Sequence, residues 1–265
     1  MHSKLLTELH FSKPICMDVL TQDRKPIIQV KNLVKKFGSF VADDHLTFDV
    51  YPGEIFGFLG ANGAGKTTAI RMICGLLEPT SGELKVAGFD GYHQREAIKR
   101  NIGYMSQKFS LYEDMTVYEN IRLYAGIYGI SRKVRLEKTD ELLKKLQLEE
   151  NRNKLVGGLP LGWKQKLSFS LAVFHEPKIV FLDEPSGGVD PLTRRTFWDL
   201  IYEVAHHGIT VFVTTHYMDE AEYCDRVAIM SEGKIVALDT PAALKEQYKA
   251  QSMDGVFLKI ARNKE

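Results

Sequence analysis

The sequence predicts an α/β fold in which a mostly parallel sheet is covered by helices on both faces. Short apolar runs alternate with helical periodicities between residues 179 and 237, and strands that alternate with helices form parallel sheets. A glycine-rich loop at residues 60–67 lies between a short apolar run and a helical segment. Residues 116–150 are rich in Leu, Glu, Lys and Tyr at helical spacing, which predicts a largely helical insert.

The N-terminal half begins with alternating apolar residues, which predict strands that are buried on one face. A turn at residues 51–53 leads into the apolar run before the glycine-rich loop. We predict strands at residues 28–31, 33–34, 46–50, 54–59, 83–87 and 102–105, and helices at residues 68–74 and 95–100.

The C-terminal half follows the insert, which Gly157, Gly158 and Pro160 interrupt. The uninterrupted apolar run at residues 179–182 predicts a fully buried strand. We predict helices at residues 164–175, at 192–206 and after Asp219, and strands at residues 179–182, 210–213, 226–230 and 234–237.

Composition describes an ordinary globular protein. The 265 residues are 44% apolar and 26% charged, enough for one large domain or two small ones. The net charge of +1 and the lack of any long basic run argue against nucleic acid as a partner. Cys16, Cys74 and Cys224 are far apart in the sequence, which favours a reducing compartment without a disulfide framework.

No apolar stretch approaches the ~20 residues needed to cross a bilayer. Polar residues interrupt the leucines of residues 5–9, so no signal-peptide core is recognisable. We therefore expect a cytoplasmic chain, with any membrane spans supplied by another subunit. Residues 1–26 are interpreted as an N-terminal extension.

The glycine-rich loop has the G-x-x-x-x-G-K-T spacing of a phosphate-binding loop. Its glycines let backbone N–H groups converge on phosphate oxygens. The ammonium of Lys66 adds a charge near the β- and γ-phosphates, and the hydroxyl of Thr67 is placed to hold Mg²⁺. Thr68 continues into a helix whose N-terminal dipole also favours anions. The loop residues are Gly60, Ala61, Asn62, Gly63, Ala64, Gly65, Lys66 and Thr67.

Polar residues follow three other predicted strands, where the strand ends open on a ligand crevice. Asp183 suits a Mg²⁺ ligand, and Glu184 suits the group that polarises an attacking water. Gln107 and His216 also follow strands and could reach a γ-phosphate. Taken singly, each of these residues is also compatible with an ordinary solvated surface position.

The order of these parts resembles the ABC-type ATPase domain over residues 27–260. The resemblance implies a P-loop NTPase (RecA-like) core with a mostly parallel sheet, an antiparallel β subdomain and a helical insert at about residues 109–172. Residues 261–265 would form a C-terminal tail. The resemblance also implies ATP and Mg²⁺ as cofactors. The residues that carry the resemblance are the phosphate loop, Gln107, Lys164, Gln165, Lys166, Asp183, Glu184, Asp190 and His216.

The resemblance also assigns roles to these residues. Gln107 would be the Q-loop glutamine, which contacts Mg²⁺ and senses a membrane partner. Asp183 would be the Walker B aspartate, and Glu184 the catalytic base. Asp190 would close the D-loop, and His216 would be the switch histidine that braces the γ-phosphate, with Lys66 as a third catalytic group.

Phe37 matches the aromatic residue that stacks on adenine in this family, where tyrosine is usual. A phenylalanine keeps the stacking surface and lacks the hydroxyl. The alternative interpretation is a core aromatic side chain.

The ABC signature departs from the family pattern. It normally reads L-S-G-G-Q ahead of a basic-Gln-basic step, here Lys164 to Lys166. Pro160 stands where the serine would be, and proline offers neither a hydroxyl nor an N–H group. Shifting the alignment to Gly157 and Gly158 restores a glycine pair but breaks the spacing to Gln165. The residues at the signature position are Leu159, Pro160, Leu161, Gly162 and Trp163.

Within the family, residues 103–112, 189–195, 215–226 and 253–259 resemble the ATPases of ABC-2-type exporters, in particular the second half of bacterial tandem-ATPase efflux proteins. This implies an ATP-hydrolysing subunit, peripheral on the cytoplasmic membrane face. Its partners would be ABC-2-type transmembrane subunits and a second ATPase unit, as a homodimer or a heterodimer. The alternatives are an ATP-dependent clamp with weak hydrolysis, favoured by the altered signature, and a soluble ABC ATPase that does not drive transport.

Overall fold

The structure is a computed structural model that describes residues 25–107 and 111–262. Most of the predicted N-terminal extension, Cys16, residues 109–110 of the predicted insert and the end of the predicted tail lie outside the described residues. Two sheets and eight α-helices make up the described part.

The larger sheet has six strands in the order β10-β9-β3-β8-β7-β6. All neighbours are parallel except the β9–β10 hairpin, which confirms the predicted mostly parallel sheet. All residues of the three central strands are buried, as expected where helices cover both faces. The strands are β3 Ile55–Gly60, β6 Ile102–Met105, β7 Ile179–Asp183, β8 Thr210–Thr215, β9 Arg226–Ser231 and β10 Lys234–Asp239.

The smaller sheet is antiparallel, in the order β2-β1-β4-β5. The predicted strands at residues 28–31 and 33–34 are one strand with register shifts. Phe48 of this sheet packs on Phe56 and Phe58 of the larger sheet, with ring centroids 5.6 and 5.5 Å away. The two sheets therefore share one core. The strands are β1 Ile28–Phe37, β2 Phe40–Val50, β4 Ser81–Val86 and β5 Phe89–Asp90.

The helices are α1 Lys66–Ile73, α2 Arg95–Asn101, α3 Val117–Ile127, α4 Arg132–Lys145, α5 Leu161–Val173, α6 Pro191–His206, α7 Pro241–Gln247 and α8 Met253–Arg262. Helices α1 and α2 contribute to the core that the two sheets share. Helices α3 and α4 belong to the insert, and α5 to α8 pack on the other face of the larger sheet. A second core lies between that face and the helices, and includes Phe197 and Trp198.

The insert has its own core, to which α3, α4 and α5 contribute. Thr116 and Glu119 form a capping box at the start of α3. Leu167 and Leu171 of α5 belong to this core, whereas Phe169 of the same helix packs in the core beneath the larger sheet. α5 therefore joins the insert to the rest of the domain.

Two of the sequence expectations about helices need correction. The helix expected after Asp219 is a 3-10 helix at Met218–Tyr223. α5 begins three residues before the predicted start, with Pro160 as its N-cap. A proline is tolerated at a helix start, because the N–H group that it lacks would have no partner within the helix there. α8 extends to Arg262, so the first two residues of the predicted tail are helical.

Within the described part of the chain, no helix has the length and apolar character that crossing a membrane requires.

Candidate nucleotide-binding site

The site lies where four neighbouring strands of the larger sheet end. Leu59 of β3 is in register with Thr215 of β8, and Asp183 of β7 is in register with Thr214. Met105 of β6 lies opposite Leu182 of β7. The loops that follow these strands therefore leave the sheet at one edge, which is where ligands bind in sheets of this type.

The phosphate loop packs tightly against its surroundings through two glycines. Gly65 adopts φ 106°, and a Cβ there would lie 2.9 Å from the carbonyl oxygen of Ala42 and would overlap the carboxylate of Asp43. A Cβ on Gly60 would lie 2.6 Å from the carbonyl oxygen of Met230. A side chain at either position would displace the loop.

The open side of the loop presents backbone donors. Gly65 is the N-cap of α1 and no side chain caps the helix, so the first N–H groups of α1 remain directed at a ligand position. Ala61, Asn62 and Gly63 are exposed, and a Cβ on Gly63 would contact nothing within 4 Å. This side of the loop can therefore receive an anion.

Lys66 is buried beside the loop. Its Nζ donates to the carbonyl oxygens of Gly60 and Ala61, at 2.7 and 3.1 Å. Burial lowers the pKa of the ammonium, and the nearby Glu184 and Asp183 carboxylates partly oppose that shift. The Lys66 ammonium is thus held at the loop, and its contact with the β- and γ-phosphates stays a prediction.

Asp183 ends β7 with a buried carboxylate. The hydroxyl of Thr214 donates to its Oδ1 at 2.7 Å, and the hydroxyl of Tyr104 lies 3.4 Å from its Oδ2. Burial raises the pKa of this carboxyl. Sequence reasoning missed Tyr104 and Thr214, although both lie in or directly after predicted strands.

Glu184 is where the predicted residues converge. Gln107 Nε2 donates to its Oε2 at 2.8 Å, and His216 Nδ1 lies 3.2 Å from the same oxygen, in an orientation that does not form a hydrogen bond. Lys66 Nζ lies 3.7 Å from its Oε1. Glu184 itself has φ 49°, a conformation that is costly for a non-glycine residue and is concentrated at functional sites.

The oxygen donors fit Mg²⁺ bound together with a nucleotide. Among residues 25–107 and 111–262, no group of three or more His, Cys, Asp or Glu side chains could hold a metal. Mg²⁺ requires no such cage, because it usually binds through one or two carboxylates together with phosphates and waters. Thr67, exposed at the second position of α1, with Asp183 and Gln107, would supply the protein oxygens. When bound, Mg²⁺ neutralises charge on the phosphates.

Phe37 lies at the end of β1 and is 50% exposed, which excludes the core interpretation. Lys35 Nζ lies 5.1 Å from the centroid of its ring and also donates to the carbonyl oxygen of Glu78 at 2.7 Å. One face of the ring is therefore next to a held cation. Stacking on adenine stays a prediction.

The signature segment forms the start of α5. Pro160 is the N-cap, and its carbonyl oxygen accepts from the N–H groups of Trp163 and Lys164. Leu159 is buried, whereas Leu161 is 40% exposed. A Cβ on Gly162 would lie 2.7 Å from Thr193 Cγ2, so this glycine allows α5 to approach α6 closely.

Asp190 is the N-cap of α6. Its Oδ1 accepts from the backbone N–H groups of Leu192 and Thr193, both at 3.0 Å. The hydrogen bond from the Thr193 hydroxyl lowers the pKa of the Asp190 carboxyl most, and the backbone N–H groups lower it further. Behind it, Gln165 of α5 is buried and donates to the carbonyl oxygen of Gly187 at 3.3 Å. The signature helix and the D-loop are thus fixed to each other.

Comparisons with known proteins agree with this geometry. Residues 44–187 match the ABC transporter family. The chain is 49% identical over 221 residues to the probable multidrug ABC transporter ATP-binding protein YbhF of Escherichia coli, covering 83% of this chain and 38% of that protein. It is 40% identical over 212 residues to the bacitracin transport ATP-binding protein BcrA of Bacillus licheniformis, covering 79% of this chain and 68% of that protein.

Solved structures show the same fold. An ATP-binding subunit of an ABC transporter superposes with a TM-score of 0.80 at 30% identity, covering 89% of this chain and 99% of that one. A dimeric ATP-binding cassette bound to ADP and Pi superposes with a TM-score of 0.72 at 26% identity, covering 80% and 98%. The predicted P-loop NTPase fold is confirmed.

Proposed function

The chain belongs to the ABC transporter family, and from that premise we propose that it hydrolyses ATP and drives an ABC-2-type membrane exporter. The observation that carries the proposal is the convergence of Lys66, Gln107 and His216 on the Glu184 carboxylate beside the phosphate loop. These are the groups that a phosphoryl-transfer site needs for charge neutralisation and for orienting water.

The side chains divide the work according to their positions. The loop amides and Lys66 bind the phosphates, and Thr67, Asp183 and Gln107 provide oxygens for Mg²⁺. Glu184 orients the attacking water and takes up its proton at a carboxylate oxygen. His216, next to that carboxylate, braces the γ-phosphate.

The proposed partners are a second ATPase unit and a transmembrane subunit. In the proposed assembly two ATPase units enclose two ATP molecules, and each phosphate loop faces the other unit's signature, Leu159 to Trp163. The second unit is an identical or a different chain. Gln107 and the insert transmit closure to the membrane subunit, so the chain works at the cytoplasmic membrane face.

The names of the relatives support an export function. YbhF is described as a probable multidrug transporter ATP-binding protein and BcrA as a bacitracin transport protein. The chain spans only 38% of the length of YbhF, so transport by the whole assembly is carried over as a proposal.

The catalytic assignment is tested by the double substitution Glu184→Gln and His216→Ala. We expect ATP turnover to fall about 100-fold or more, since a general base contributes that much, while a fluorescent ATP analogue still binds. Glu203→Gln is the matched control, because Glu203 forms a surface ion pair with Lys145 on the far side of α6. Turnover retained by the double variant would overturn the assignment.

Pro160 supports a second candidate, in which ATP acts as a clamp and hydrolysis is weak. Proline at the N-cap of α5 offers no hydroxyl and no N–H group to a phosphate. The Glu184→Gln protein, loaded with ATP, is used to capture the membrane subunit. ATP turnover of the wild-type chain is then measured alone and with that subunit. The exporter proposal requires that the subunit stimulates turnover, and the clamp requires that the subunit binds without stimulating turnover.

A further inference from the structure

His216 belongs to a stack of three contacting side chains, His216, Tyr217 and Arg194. The ring centroid of His216 lies 4.1 Å from that of Tyr217, with the planes inclined by 35°. The guanidinium carbon of Arg194 also lies 4.1 Å from the Tyr217 centroid. Both groups are therefore in van der Waals contact with the Tyr217 ring, which links the guanidinium to the imidazole.

Arg194 is held in place by two carboxylates. Its NH1 lies 3.4 Å from Asp219 Oδ2, and its Nε lies 3.7 Å from Glu220 Oε1. Glu220 is completely buried, and a buried carboxylate requires compensation by a cation and hydrogen bonds. The hydroxyl of Ser186 donates to its Oε1. Ser186, which lies two residues after Glu184, thus helps to hold Glu220, and Glu220 in turn holds Arg194.

The stack also explains how the imidazole is oriented. A histidine usually takes its orientation from a hydrogen bond on one ring nitrogen. His216 Nδ1 is buried and has no hydrogen-bond partner among the described residues, although Glu184 Oε2 is 3.2 Å away. The contact with Tyr217 can therefore hold the ring plane, since Nδ1 makes no hydrogen bond that would do so.

We propose that Arg194 and Tyr217 are positioning residues that hold the imidazole of His216 against Glu184. Neither side chain contacts the reacting atoms. The proposal deepens the ATPase function proposed above and rests on it. It assigns a role to the D-loop helix α6, because Arg194 projects from the first turn of that helix, four residues after its N-cap Asp190.

The first test separates stacking from other effects of Tyr217. Tyr217→Phe keeps the ring, and Tyr217→Leu removes it. We expect Tyr217→Leu to lower kcat at least about tenfold, since small misplacements of catalytic groups are that costly, with KM for ATP changed by less than about twofold. Tyr217→Phe should retain wild-type kcat. Equal losses in the two variants would overturn the proposal.

The second test concerns Arg194. Arg194→Lys keeps the charge but loses the planar group that stacks on tyrosine, so kcat should fall while KM is kept. Arg195→Met is the matched control, because the neighbouring Arg195 is exposed on the same helix, and its kcat should equal that of the wild type. An Arg195→Met loss as large as that of Arg194→Lys would count against the stack.

A spectroscopic measurement makes the proposal independent of turnover. In protein labelled at histidine Cε1, the His216 signal is assigned by its loss in His216→Gln. Ring currents from Tyr217 should shift this signal, and the shift should persist in Tyr217→Phe and disappear in Tyr217→Leu. If the wild type fails to hydrolyse ATP, the proposed function fails while this shift still tests the positioning. A signal unchanged in Tyr217→Leu would refute it.

Discussion

Among single residues, Asp43 is the clearest departure from ordinary burial. Its side chain is fully buried next to Gly65 of the phosphate loop, and neither carboxylate oxygen has a hydrogen-bond partner among residues 25–107 and 111–262. Burial raises its pKa from the ordinary value of 3.8 to about 7. Between these two values the folded chain keeps a proton that the unfolded chain releases, so the free energy of unfolding falls as pH rises from about 4 to 7.

We therefore predict that Asp43→Asn removes this pH dependence. One pH unit corresponds to about 1.4 kcal/mol, so the ionised Asp43 costs on the order of 4 kcal/mol above pH 7. In urea unfolding, the variant should match the wild type near pH 4 and be more stable near pH 8. Asp44→Asn, which removes a partly exposed carboxylate paired with Lys234, is the control and should leave the profile of Asp43 intact. A wild-type slope that persists in Asp43→Asn would contradict the assignment.

The sequence points to candidate site residues by their position after strands, but not to the contacts between strands. Gln107, Glu184 and His216 are polar residues within three positions of the end of an apolar run, which points to a ligand crevice. Tyr104 lies within a predicted strand and Thr214 directly after one, and alternation says only which face of the sheet each side chain takes. Their contact with Asp183 depends on the register of three strands, which no local pattern specifies.

At the scale of elements, sequence periodicity could not decide whether the helix at Met218–Tyr223 is an α-helix or a 3-10 helix, nor at which residue α5 begins. Met218 and Ala221 are both buried in the 3-10 helix. A spacing of three residues fits both a 3-10 helix and an α-helix, and six residues are too few to distinguish the two periods. The longer helix α6 shows several turns of the pattern, and the helix predicted at residues 192–206 is confirmed. The helices α7 and α8 and the short strand β5 were not predicted.

The start of α5 allows a prediction about the altered signature. Pro160→Ser introduces a hydroxyl and an N–H group at the N-cap, where serine is favoured. The cap gain and the loss of proline's rigidity oppose each other, so the free energy of unfolding should change by less than about 1 kcal/mol. ATP turnover should rise severalfold if the signature limits it.

The control for this substitution is Pro52→Ser, which alters an exposed turn proline and should leave turnover unchanged. Steady-state turnover and chemical unfolding are measured on all three proteins. A Pro160→Ser protein that folds as well as the wild type and turns over no faster would show that the phosphate contact does not depend on this position.

At the scale of the whole molecule, one chain carries both segments that the proposed two-chain site requires, the phosphate loop and the signature. Sequence spacing predicts both halves, since each is a local motif. It cannot say which chain supplies the opposite half, because that depends on the surfaces of both partners. The exposed Leu161 at the signature and the exposed Leu192 on α6 are available for such a contact.

We predict that ATP assembles two copies of the chain when hydrolysis is blocked. The Glu184→Gln protein should have the mass of one chain without nucleotide and of two chains with ATP and Mg²⁺ in light scattering, because bound ATP joins each phosphate loop to the opposite signature. Lys66→Ala in the same background is the control and should stay at the mass of one chain, since the charge that holds the phosphates is lost. If ATP binds to Glu184→Gln but the mass does not double, two identical chains do not form the site. The heterodimer is then tested with a different ATPase chain that is purified with the same membrane subunit. Adding that chain together with ATP should give a particle with the combined mass of the two ATPase chains.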